Sequence, residues 1–134
     1  MARPSSKHLK ASLPSQQQRV PSSAHSIWEL VLHLCGAYGL VLRRLAGDGR
    51  QLTESEDWPT VPKASAENWN DSIRVLKQMN EDLRRAVKSF PGDRLDQPLV
   101  PESPYTAYTQ FIGVTQHDLY HAGQIALLKR ALRG

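Results

Sequence analysis

The sequence predicts an all-α fold, a bundle of long helices, and three observations carry that prediction. Three stretches place apolar residues at helical spacing. No stretch shows the apolar and polar alternation of a strand, and no proline falls beyond the first turn of any of the three. Helices of about 20 to 30 residues with no proline past their first turns fit a bundle better than a globin-like or repeat architecture.

The first 24 residues stand apart. Pro4, Pro14 and Pro21 and the polar run Ser15-Gln16-Gln17-Gln18 interrupt any helix with a buried stripe, so residues 1–24 are expected to form a disordered basic tail ahead of a bundle domain over 25–134. Their basic, serine-containing composition resembles a transit peptide, but the prolines spoil the amphipathic helix such a peptide needs.

Order is expected from Ser26. Ser26-Ile27-Trp28-Glu29 has the S-x-x-E form of a capping box, in which the serine oxygen accepts from the Glu29 amide and the carboxylate reaches back. Ile27, Leu30, Val31, Leu34, Tyr38, Val41, Leu42 and Leu45 then recur at helical spacing until Gly47-Asp48-Gly49 ends the run. The acidic, proline-containing stretch from Gln51 to Ala64 is too long for a simple turn and reads as a lid or cover. Ser65 caps a second helix carrying Trp69, Ile73, Leu76, Leu83, Val87 and Phe90, with Asn80 as its one polar interruption, and Pro91-Gly92 stops it. Ser103 and Pro104 form a cap and first-turn pair, predicting a third helix from about Pro104 to Leu132.

Composition sets the outer limits. A chain of 134 residues with 40% hydrophobic and 22% charged side chains is one ordinary soluble domain. No segment approaches the roughly 20 apolar residues of a membrane span, and the N-terminus lacks the apolar core of a secretory signal, so no membrane contact and a cytoplasmic location are expected. Cys35 is the sole cysteine, which excludes an internal disulfide and a cysteine-rich zinc module. The net charge of +4 sits in the tail, on Arg3, Lys7, Lys10 and Arg19; the remaining residues balance 13 basic against 13 acidic side chains. Four charges interleaved with Ser, Gln and Pro make no recognition surface for DNA or RNA, so no nucleic-acid partner is expected.

The strongest local signal is His117-x-x-x-His121 on the third helix, where two imidazoles one turn apart on one face suit a shared divalent metal. Such pairs also arise by chance. The helical wheel adds weight: within roughly 60° of His117 lie Gln110, Gly113, Val114, Tyr120, His121, Gln124 and Leu128, and no charged residue. Uncharged polar groups on an interior stripe need partners, which makes Gln110, Tyr120 and Gln124 candidates to orient the imidazoles. A third ligand has to come from another helix. His33 is available, yet on the wheel it stands with Glu29 and Arg44, so spacing alone makes it a surface histidine. His8 falls in the tail and His25 just before the capped turn.

Cys35, Trp28, Trp58 and Trp69 read most simply as packing residues, since no spacing assigns them chemistry. Arg43-Arg44, Arg84-Arg85 and Lys129-Arg130 read as solvated charges near helix ends.

Two segments, Ser26-Ile27-Trp28-Glu29-Leu30-Val31-Leu32-His33 and His117-Asp118-Leu119-Tyr120-His121-Ala122-Gly123-Gln124-Ile125, resemble in order and separation the two signatures of the DinB/YfiT-like metal-dependent bundle superfamily. The resemblance covers roughly Ala24 to Arg133 and implies an up-down helical bundle. It implies that His33, His117 and His121 bind one divalent ion, zinc or nickel, behind which the wheel sets Gln124 and Tyr120. It also implies a metal-dependent enzyme, a thiol S-transferase or hydrolase, acting on a small-molecule thiol and an electrophile. The family's first helix precedes the S-I-W-E segment, where this chain has the proline-rich tail, so the chain is expected to lack that helix. Three helices without a fourth leave an apolar face uncovered, which predicts a homodimer. The competing reading is a non-catalytic helical interaction protein with incidental histidines, and metal content separates the two.

Overall fold

The structure, a computed structural model, describes residues 25–133. The tail expected over residues 1–24 lies outside them. Three long helices dominate: α1 (Ile27–Leu45), α3 (Ala66–Lys88) and α4 (Ala107–Leu132), with a one-turn helix α2 (Glu54–Asp57) and a 3-10 turn at Gly92–Arg94 in the connections. Among the described residues there is no strand, only an isolated bridge between Pro98 and Thr106.

The caps explain the boundaries. At α1 both halves of the capping box form: the Glu29 amide donates to Ser26 Oγ at 3.0 Å and the Ser26 amide to Glu29 Oε1 at 2.9 Å. The backbone hydrogen bond holds the Glu29 carboxyl below its usual pKa. α1 ends at Ala46, and Gly47 follows with φ of 91°, a left-handed conformation that a side chain would strain. Ser65 caps α3 by accepting from the Asn68 amide, as its sequence predicts. The third long helix begins later than Ser103-Pro104 indicates. Thr106 is its cap, and the first free amides are taken by distant carbonyls, Ala107 donating to Gln97 and Tyr108 to Leu95. Ser103 instead accepts from Tyr105 and from the Gln110 side chain.

Helix directions follow from the contacts. Trp28 meets Ser72 and Trp69, and Tyr38 meets Asn80, so α1 and α3 run parallel. The chain must therefore travel back along the whole of α1 before α3 can start, which is why the connection is long. It does so in contact with α1. Gln51 meets Arg44, Glu56 meets Arg43, Asp57 meets His33, and Trp58 stacks on His33 and His25. Arg44, read from sequence as solvated, is buried beneath this return. Lys129 is also buried, and burial lowers the pKa of its ammonium.

α4 runs antiparallel to α1. One apolar cluster gathers Ile27, Trp28, Leu30, Val31 and Leu34 with Trp69, Ile73, Ile125 and Leu128; a second joins Tyr38 and Val41 to Leu83, Ala107 and Phe111. The outward side of α4 is apolar as well: Tyr108, Ile112, Leu119, Tyr120 and Leu127 are 42 to 66% exposed. Between the clusters, the Tyr38 hydroxyl donates to Asp118 Oδ2 at 2.7 Å and accepts from Asn80 Nδ2 at 3.2 Å, joining all three long helices. Burial, before the neighbouring Asp118, pushes the Tyr38 pKa up, so the hydroxyl keeps its proton.

Trp28 is fully buried, and its indole N–H donates to Ser72 Oγ at 3.0 Å. Trp28→Ala is expected to lower unfolding free energy by about 3–5 kcal/mol. Ser72→Ala, which strands the indole N–H, should cost about 1–3 kcal/mol. Urea denaturation followed by circular dichroism measures both, and a Trp28→Ala protein as stable as the parent would contradict this packing.

Candidate metal centre

The histidine stripe of α4 meets α1 between the two apolar clusters. His117 Nε2 lies 3.0 Å from His33 Nε2 and 3.1 Å from His121 Nε2, and a ligand nitrogen from each of the three falls within 4.8 Å of the others. His33 and His121 are each 7% exposed. The surface position that the wheel gives His33 is overturned because a wheel contains only its own helix. Asp57 and Trp58, from the returning connection, cover the ring.

Each ring is held from behind. His33 Nδ1 donates to the Asp57 carbonyl at 2.7 Å, with Asp57 Oδ1 at 3.2 Å, and the Trp58 ring lies flat on the imidazole at 3.8 Å. His121 Nδ1 donates to Gln124 Oε1, a partner three residues along the same helix face. Carbonyl oxygens only accept, so both Nδ1 atoms carry a proton, and in the neutral ring each Nε2 then presents a lone pair to His117. His117 Nδ1 is buried without a hydrogen-bond partner among the described residues.

Three ring nitrogens therefore converge with at most one proton to share. His117 Nε2–H can satisfy one lone pair and leaves the other facing it, a costly arrangement inside a protein. A cation at the convergence point would satisfy all three. Three nitrogens bound to one ion at about 2.0–2.1 Å sit about 3.0–3.4 Å apart, and the two separations made by His117, 3.0 and 3.1 Å, fall in that range. Burial, reinforced by the other two histidines, depresses the His117 pKa to about 4, and burial also lowers that of His121. Neutral imidazole is the form that ligates.

The remaining expected residues fall at different distances from this centre. Gln124 bonds His121 directly, whereas Gln110 is engaged with Ser103. The Tyr120 ring meets His121 edge-on at 5.1 Å and is 66% exposed, so it flanks the imidazole and the orienting bond comes from Gln124. Cys35 has its thiol pushed up to about 11 by burial, which leaves no thiolate at neutral pH.

Asp57 and Trp58 carry no motif that would have singled them out. The turn that delivers them did carry a signal: Thr53-Glu54-Ser55-Glu56 is a second capping box, with the Glu56 amide on Thr53 Oγ1 and the Thr53 amide on Glu56 Oε1. Arg43 anchors the turn to α1 through Glu56 Oε2 at 2.7 Å. Close approach also needs Gly36, where a Cβ would stand 2.6 Å from the Glu56 carbonyl oxygen. A cavity of about 390 Å³ opens beside His117, between α1, α4 and Leu52.

The Thr53 amide, and after it Arg43, hold the Glu56 carboxyl near a pKa of about 2, below its ordinary 4.5. A group depressed in the folded state stabilises fully above the ordinary value and loses its effect as pH falls through the folded one. The turn is therefore expected to loosen between about pH 4.5 and 2, seen as a red shift of Trp58 emission. Glu56→Gln should show that shift already at neutral pH; an unshifted spectrum would refute the anchoring.

Comparison with known proteins bears on what this centre is. The chain matches no curated protein and no solved structure. The family model described as the DinB superfamily matches residues 4–125, most of the chain, beginning inside the segment that the sequence reads as a tail and ending beyond His121 and Gln124. Because that match covers most of the chain, and the described residues form a helical bundle, the chain belongs to the DinB superfamily.

Proposed function

We propose that the protein is a divalent-metal-dependent enzyme in which His33, His117 and His121 hold one ion, zinc or nickel, and a small thiol or water attacks a small electrophilic molecule. The observation that carries this reading is the convergence of three Nε2 atoms, two of them fixed as acceptors from behind. When bound, the metal supplies Lewis acidity that lowers the pKa of a thiol or water beside it, so a nucleophile exists at neutral pH.

The chain's own residues do the positioning. Asp57 and Gln124 fix the tautomers of His33 and His121, and Trp58 excludes water from one side of the His33 ring. Three protein ligands leave coordination positions for exogenous groups, and the cavity beside His117 gives access. Among the described side chains at the centre, none is placed as a separate general base. This favours transfer of a nucleophile already activated over a reaction that needs a proton relay.

Protein purified without a histidine tag and loaded with zinc or nickel is expected to hold one ion per chain by elemental analysis. The His117→Ala, His121→Ala double variant should hold none, and unchanged metal in that variant would exclude the site.

A panel of thiols with a model electrophile is expected to show turnover that depends on metal and is lost in His33→Ala. Equal rates with and without metal would leave the non-catalytic reading.

A further inference from the structure

The cavity beside His117 has a composition that restricts what can enter it. α1 and α4 run antiparallel, and each carries a small residue one turn from its histidine toward the same end of the bundle: Ala37 after His33, and Gly113 before His117. A Cβ at Gly113 would meet nothing within 4 Å, and this glycine has no positive φ that would require it for the backbone. The two small residues open a groove that leads away from the triad.

Its walls are Leu40, Val41, Leu52 and Val114. Among the described residues no lysine or arginine lines it, although the described chain holds as many basic as acidic side chains. The one charged residue at the lining, Asp57, turns both its carbonyl and Oδ1 toward His33 Nδ1. The polar groups, Tyr105, Thr109 and Gln110, gather on the first turns of α4 and just before it, away from His117. An anionic group carried along the groove, away from the triad, would be desolvated with no basic side chain among the described lining residues to face it, whereas an alkyl or ring body would exchange water for apolar walls.

We propose that this groove is the substrate-binding site, and that it takes an uncharged, mostly apolar small molecule whose single donor atom reaches the triad while its body lies along Ala37 and Gly113. A volume of about 390 Å³ is at the small end of ligand pockets, so the body is small too. The proposal rests on the metal reading above and adds the class of molecule that the site selects.

The test uses full-length protein loaded with cobalt(II), whose visible spectrum reports a new sulfur ligand, with cobalt per chain measured first. Titration with a series from ethanethiol to hexanethiol should tighten about fourfold for each added methylene until the groove is full. The carboxylate-bearing 6-mercaptohexanoate should bind at least about tenfold more weakly than hexanethiol. Gly113→Leu, which fills the groove, should keep its cobalt but bind every thiol as weakly as ethanethiol; Gly113→Ala should lose part of the gain and guards against a leucine variant that fails to fold. Affinity independent of chain length, equal binding of the carboxylate, or wild-type hexanethiol binding by cobalt-loaded Gly113→Leu or Gly113→Ala would overturn the proposal. Absence of cobalt from the parent protein would instead remove the metal reading and the groove's role with it, and the stoichiometry distinguishes that result from the others.

Discussion

The parallel run of α1 and α3 is the constraint on which the rest of the structure depends. Two adjacent helices pointing the same way cannot be joined by a turn, so some 20 residues must retrace α1, and their path lies over the helix face that carries His33. That path supplies the carbonyl that fixes the His33 tautomer and the indole that covers its ring. It also buries Arg44 and places Leu52 at the edge of the groove. The connection is thus a structural layer of its own, pinned by a capping box, an arginine and a glycine contact.

The centre shows how polar groups are made tolerable between two apolar clusters. Burial disfavours the charged forms of His117 and His121, and the N–H groups at His33 and His121 are spent on carbonyl oxygens. Among the described residues, what remains unsatisfied at the centre is a set of lone pairs facing one another and the Nδ1 of His117. The cost of that arrangement is concentrated where a ligand can relieve it, a pattern expected of sites rather than of structural cores.

Much of this was legible in the sequence, and the parts that were not share a cause. Ser26 and Ser65 are caps because their hydroxyls bond amides three residues on, a relation contained in a few letters. The Gln124 bond to His121 is legible for the same reason. Ser103-Pro104 has the same local form, but α4 starts at Ala107 because the carbonyls of Leu95 and Gln97, brought in by the preceding loop, take the first amides. The burial of His33 escaped the wheel because its cover comes from residues 57 and 58. Both depend on where another segment ends up. The second capping box at Thr53 was available to the same local logic and marks the turn that brings the cover, though nothing in it points to what it covers.

The Tyr38 hydroxyl, with Asp118 on one side and Asn80 on the other, has a consequence for precision. Apolar helix faces are slippery: one leucine ridge resembles the next, and a slide by one turn moves a side chain about 5.4 Å along the axis while keeping it on nearly the same face. Such a slide would carry His117 away from His33 while costing the two apolar clusters little. A buried hydroxyl with a donor on α3 and an acceptor on α4 admits one registration only, because any other leaves polar atoms unpaired. Asp118 is the immediate neighbour of His117, so the pin acts next to the atoms whose alignment matters. It makes one helix alignment out of several that hydrophobic packing alone would treat as nearly equal.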